Sequence, residues 1–171
     1  QMDLALLVLR LVVGLLFVGH GAQKLFGAFG GGGLDGTAGL FDNLGLRPGW
    51  LHARAAGTAE FLGGALIALG LFTPFAAAVL IGVMTAAILT VHAPNGIWNT
   101  NQGYEFNLVM SAVVFALAGV GAGAWSLDNA FGFDLNGTIW AIAALAAGII
   151  GGLGAVLSGR MSARREPHPA S

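Results

Sequence analysis

Five long apolar runs leave this chain few folds to choose from. They cover residues 3–26, 51–72, 74–92, 105–123 and 138–157, and each is close to the roughly 20 residues a helix needs to cross a bilayer. Lipid offers no partner to a bare N–H or C=O, so a chain of this kind spans as helices or as a closed barrel. Runs of this length read as helices. Charged residues make up only 9% of the 171 residues and hydrophobic ones 56%, against about 25% charged in soluble domains. The chain is therefore expected to be an all-α membrane protein. The first run contains Arg10 and has no clear small-residue cleavage site, so it reads as a retained span rather than a signal peptide. A net charge of −1 gives no footing for nucleic acid, and the absence of cysteine removes thiol relays, Cys-bound metals and disulfides.

Turn chemistry divides the runs. Thr73-Pro74 separates the second from the third, and Ala93-Pro94-Asn95-Gly96 ends the third. Trp50, Trp98, Trp125 and Trp140 sit at or near run ends, as interfacial belts require. Between runs one and two, Gly30 to Gly33 reads as flexible. Leu40, Phe41 and Leu44 then suit either a short surface helix or a loop with apolar anchors, before Pro48-Gly49 turns the chain. Arg160, Arg164 and Arg165 place the C-terminus in the cytoplasm, and five spans then put the N-terminus outside. Lys24, Arg47 and Arg54 fall inside on this reading, and Asp128 and Asp134 outside. Glycines recur at helical spacing, Gly14 with Gly21, Gly63 with Gly70 and Gly148 with Gly152, which favours tight packing within one bundle over a dedicated dimer motif. The fifth run has no ionisable residue and reads as peripheral or as a docking surface.

Ionisable residues inside lipid need a partner or a purpose, at about 2.5–3.5 kcal/mol each. The end of span one, the start of two, the end of three and the start of four must share one membrane side. That parity brings His20, Lys24, Glu60, His92 and Glu105 toward one half of the bilayer. His20 lies about 9 Å and Glu60 about 13 Å deep at 1.5 Å per residue. Arg10 shares a face with Lys24 but sits about 21 Å further along the axis. Its candidate acceptors are Glu60, Asp128 and backbone carbonyls. Each residue also has a structural role open to it: an Arg10–Glu60 pair fixing registry, Lys24 snorkelling to the interface, His92 capping span three, and Glu105 complementing the dipole of span four. As a site, His20, Lys24 and Glu60 can offer a quinone head group both hydrogen-bond donors and a proton path, between walls of Phe17, Phe61 and Phe106. No haem-specific feature supports a His20–His92 ligand pair and no metal is expected. Phosphate loops, nucleotide fingerprints and a Ser-His-Asp arrangement are absent from the sequence.

Several ordered motifs over residues 4–130 resemble the DoxX family: Leu9-Arg10-Leu11, Gly19-His20-Gly21-Ala22-Gln23-Lys24-Leu25, Glu60-Phe61-Leu62-Gly63-Gly64, His92-Ala93-Pro94-Asn95-Gly96, Gly103-Tyr104-Glu105-Phe106-Asn107, and Trp125-Ser126-Leu127-Asp128. The resemblance implies a four-helix membrane domain over residues 1–130. The chain adds a further transmembrane helix at 131–158 and a basic cytoplasmic tail at 159–171. It also implies a place in the bacterial inner membrane and a link to redox chemistry, since relatives include a small subunit of a quinone-linked thiosulfate oxidoreductase and members tied to oxidative-stress complexes. Expected partners are the bilayer and other proteins of a membrane complex, with a homo-oligomer also compatible. Catalytic residues are not assignable. A scaffold or assembly factor is the competing function, and a small-solute transporter the weaker third, since no inverted repeat is present.

Overall fold

In the computed structural model, which describes residues 2–165, the chain is all-α with no strand among those residues. Its helices are α1 (Met2–Phe26), α2 (Gly33–Asn43), α3 (Gly49–Leu69), α4 (Thr73–Ala87), α5 (Glu105–Val120), α6 (Leu127–Ala130) and α7 (Thr138–Arg165). The five apolar runs correspond to α1, α3, α4, α5 and α7. Three segments are long and apolar enough to cross a membrane by length and composition: α1, the stretch from Thr73 to Asn95 that begins with α4, and α7. The other two run alongside them. α3 is as long but carries His52, Arg54 and Glu60, while α5, at 16 residues, rises only about 24 Å.

Sequence explains the packing order. α1 lies along α3, α3 against α4, and α4 against both α5 and α7. Close approach is set by small residues. A methyl added at Gly14 or Gly21 of α1 would run into the α3 backbone at Gly64 or Gly57. Gly148 and Gly152 press in the same way on Ala78 and Gly82 of α4. The Gly148/Gly152 pair is therefore an internal seam, as expected of packing within one bundle. Without a hydrophobic drive between helices in lipid, such backbone proximity is a main source of cohesion. Phe17, Ile67, Leu80, Ile81, Val114 and Leu117 fill the centre. Leucines and isoleucines on the outer faces, such as Leu15, Ile142 and Ile150, stay exposed, as a lipid-facing surface demands.

Four local features differ from, or sharpen, the sequence reading. The Gly30–Gly33 run is a packed turn rather than a flexible one, because Gly31 abuts Gln23 of α1. The segment after it is helical rather than a loop, since α2 forms and packs on α3, with Gly49 N–H donating to Asp42 Oδ1 at 2.8 Å. α4 runs on through a π-helical turn at Ile88–His92 before Pro94. α7 continues eight residues beyond the apolar run, so Arg160, Arg164 and Arg165 lie on its last turns. The remainder of the basic tail, 166–171, lies outside the described residues.

Candidate functional site

The bundle holds two buried polar clusters, one toward each end. The first is built on Arg10, which is fully buried. Its Nη1 donates to the Ala68 carbonyl at 3.2 Å and its Nη2 to the Trp125 carbonyl at 2.5 Å. Asp128 stands within electrostatic reach. That carboxylate is itself saturated: it accepts the Phe72 N–H at 2.7 Å, the Thr73 N–H at 3.1 Å and the Thr73 hydroxyl at 2.7 Å. Asp128 thus caps the start of α4 from another segment, satisfying donors that a helix N-terminus leaves free. Gly70 sits at φ +64 between α3 and α4, and a Cβ there would collide with the Arg10 guanidinium. Arg10 therefore ties the α3–α4 corner to the loop before α6, and the backbone-carbonyl option is the one realised. The Arg10–Glu60 pair considered from sequence does not form, because the axial offset between them is too large for the side chains to bridge.

The second cluster lines a cavity of about 840 Å³, within the size range of small-molecule sites. Lys24 Nζ donates to Glu60 Oε2 at 2.5 Å, an ion pair that links α1 to α3. Glu60 is only 2% exposed, while the Lys24 side chain keeps 25% exposure. Lys24 therefore does more than snorkel. It compensates a carboxylate that lipid and protein would otherwise leave unpaired. His20 comes within electrostatic range of Glu60, and its ring packs on Phe106 with centroids 5.5 Å apart. His92 borders the same space. Its Nδ1 lies 2.8 Å from the Gln102 carbonyl, a contact in which Nδ1–H donates.

Four of the five proposed ligand residues, His20, Lys24, Glu60 and His92, thus border one cavity. Glu105 is not among its lining residues. Its Oε2 accepts the Asn99 N–H at 2.9 Å and fixes the loop that precedes α5. Of the three aromatic walls expected, Phe106 borders the cavity, Phe17 is fully buried in the core, and Phe61 packs edge-on against Phe26. The loop from Ala93 to Tyr104 holds only two short 3-10 turns, Ala93–Asn95 and Asn99–Asn101, and its remaining donors are matched internally, Tyr104 N–H to Gly96 O and Glu105 N–H to Ile97 O. Irregular backbone near lipid is tolerated where it lines a protein cavity, and Asn99 and Gly103 do so here.

Further polar groups on the cavity wall, His52 and Asn107 among them, were not singled out by sequence. His52 enters from α3 beside Gly159 of α7. Asn107 of α5 is 4% exposed, and its Nδ2 donates only to Met84 Sδ at 3.4 Å. Its Oδ1 has no hydrogen-bond partner. A buried amide left half-satisfied costs about 1–3 kcal/mol, so its presence in an apolar helix needs an explanation. The signal was available: Asn107 is the only amide within the run Phe106–Val120.

Known proteins share much of this sequence. A Bacillus subtilis (strain 168) protein named "Putative oxidoreductase CatD" is 29% identical over 119 residues, covering 68% of this chain and 81% of its own length. From Mycobacterium tuberculosis (strain ATCC 25618 / H37Rv), "Uncharacterized membrane protein Rv3486" is 29% identical over 135 residues, 73% of this chain and 80% of that protein. No solved structure shows a significant match. The family model described as DoxX matches residues 5–93, which carry Arg10, His20, Lys24, Glu60 and His92, and the chain belongs to the DoxX family.

Proposed function

We propose that this protein is an inner-membrane component of a redox-linked complex that binds a quinone-like ligand at the Lys24–Glu60 end of its cavity. One observation carries the reading: the Lys24–Glu60 ion pair and Asn107, a buried amide left half-satisfied, line the same 840 Å³ space. The residues suit such a head group. Lys24 has donors beyond the one given to Glu60 and can address a carbonyl oxygen. Glu60, held by Lys24, can take up or release a proton, with His20 beside it as a second exchange group. Phe106 offers an apolar flank. Asn107 can donate to or accept from the ring substituents. A quinone supplies two-electron, two-proton carrier chemistry when bound. The chain's own residues bind it, orient it and hold the proton. The oxidoreductase wording in the name of the Bacillus subtilis relative agrees with this class of function.

The reading extends to organisation and orientation. Residues 1–130 form the family's membrane domain, the helix after it adds a wall, and the basic end of α7 sits in the cytoplasm, so the cavity's polar end opens on the cytoplasmic half. Electron donors and acceptors come from partner proteins.

Native mass spectrometry of protein released gently from its own membranes tests the proposal. The expected result is a bound mass matching a quinone in the wild type, lost in Glu60→Gln while the fold and expression level persist. A protein partner with no small molecule would overturn it in favour of a scaffold.

A further inference from the structure

The cavity is longer than its polar end requires. From the Lys24–Glu60 pair it extends between α4 and α7, where its walls are Val79, Gly82 and Val83 on one side and Ala147, Gly151 and Ala155 on the other. Along residues 79–87 and 147–156 no ionisable residue borders it. α3 and α7 barely touch, so the space between them is spanned only by the floor that α4 provides. Ala55, Ala147, Gly151 and Ala155 are exposed along this gap. Along α7 the groove runs for about 14 Å at 1.5 Å per residue.

The α7 glycines differ in a way that separates packing from space. Gly148 and Gly152 are in contact with α4 and have no room for a methyl. Gly151, between them in sequence, points into the cavity, and a Cβ there would meet nothing within 4 Å. The space at Gly151 opens onto the cavity rather than onto a neighbouring helix. At the other end of the same cavity, Asn107 keeps a buried oxygen without a partner. One end therefore lacks a polar partner and the other lacks an apolar one.

We propose that the α4–α7 groove holds the isoprenoid tail of the ligand whose head group sits at Lys24, Glu60 and Asn107, with the α3–α7 gap as its lateral entrance from the bilayer. This rests on the quinone-like reading of the polar end. It gives α7, which lies beyond the matched family region, a part in the site. The specific occupant is a single flexible hydrocarbon chain joined to a polar ring. Lipid and groove are equally apolar, so the tail contributes through close packing against small residues and by fixing the head's position, not by leaving water.

The test is photolabelling of the full chain in nanodiscs with a farnesyl-type benzoquinone that carries a diazirine on its chain. The expected adducts fall on α7 between 147 and 156 and on α3 between 55 and 59. Gly151→Leu and, separately, Ala155→Leu should lower that labelling severalfold by filling the groove. Gly154→Leu should leave it unchanged, since Gly154 also has open space around it but does not border the cavity. Adducts confined to the outer face at Ile142, Ile149 and Leu153, or labelling indifferent to both groove variants, would overturn the tail groove. So would a diazirine-tagged phosphatidylglycerol that labels the same α7 residues and is not displaced by excess farnesyl-type quinone, because the occupant is then a bulk lipid chain. Glu60→Gln separates the two levels. Groove labelling that survives it leaves the tail site standing and removes the head-group reading. Head-group binding lost in Glu60→Gln but indifferent to the groove variants removes the tail site alone.

Discussion

Arg10 and Glu60 are both charges buried in a membrane bundle, and they are handled in opposite ways. Arg10 meets fixed carbonyls of Ala68 and Trp125, and its neighbour Asp128 is spoken for by Phe72 and Thr73. Those partners belong to the corners that join the helices. Glu60 instead depends on one flexible side chain, Lys24, and faces a cavity. Each cluster has one buried atom without a partner, Arg10 Nε and Asn107 Oδ1. Only the second belongs to a residue that lines the cavity. A charge bonded to backbone at chain corners holds architecture. A charge held by a mobile partner beside space and an unsatisfied amide is arranged for something that comes and goes.

That contrast breaks first, and most severely, at Arg10. Arg10→Met strips two carbonyls of their donor and leaves part of the guanidinium's volume empty. The expected loss is about 3–5 kcal/mol of stability, read as a lowered unfolding midpoint in mild detergent. Ligand retention per folded molecule should be unchanged, since Arg10 lies about 21 Å along α1 from Lys24. A stable Arg10→Met protein that loses its ligand would reverse the assignment of the two clusters.

The Lys24–Glu60 pair should then respond asymmetrically. Lys24→Met leaves a carboxylate with 2% exposure and no compensating charge, at a cost of about 2–3 kcal/mol. Glu60→Gln leaves a lysine that is already partly exposed and can swing to the interface, so its unfolding midpoint should stay near that of the wild type. Equal destabilisation by the two changes would mean that the pair is architectural after all.

A pair of glycines offers a smaller contrast of the same kind. Gly70→Ala places a Cβ against the Arg10 guanidinium at a left-handed backbone position, with an expected loss of about 1–3 kcal/mol. Gly151→Ala has open space and gains helix propensity of about 1 kcal/mol. Thermal scans of both in one detergent measure the difference directly, and a neutral Gly70→Ala would show that the corner is looser than its contacts imply.

How much of this was readable in advance follows from what lipid enforces. Spans and their parity are legible because hydrocarbon tolerates only internally bonded backbone, and parity alone put His20, Lys24, Glu60 and His92 on one side. The partner of each charge was not legible. Arg10 had three candidates, and only the corner geometry at Gly70 and the loop before Asp128 selects the carbonyls. α2 was ambiguous because three glycines within its eleven residues dilute any helical period. The reach of α7 past 157 was hidden because the apolar signal ends where the polar turns of the same helix begin. Asn107 carries no charge to mark it, yet a neutral amide is costly in an apolar helix for the same reason that a charge is.

Asn107 is where stability and function should part. Leucine has the same branched heavy-atom skeleton, with bulkier methyl ends and no polar atoms, so Asn107→Leu removes an unpaired buried oxygen at the loss of one weak contact to Met84 Sδ. On stability alone the change should be favourable, by about 1 kcal/mol. If the amide is there to meet a head group, the same variant should retain less quinone through purification even as its unfolding midpoint rises. Both quantities come from one preparation, by native mass spectrometry and a thermal scan. A variant that is less stable and binds as before would mean that Asn107 bonds within the fold, and the polar end of the cavity would shrink to the Lys24–Glu60 pair and its histidines.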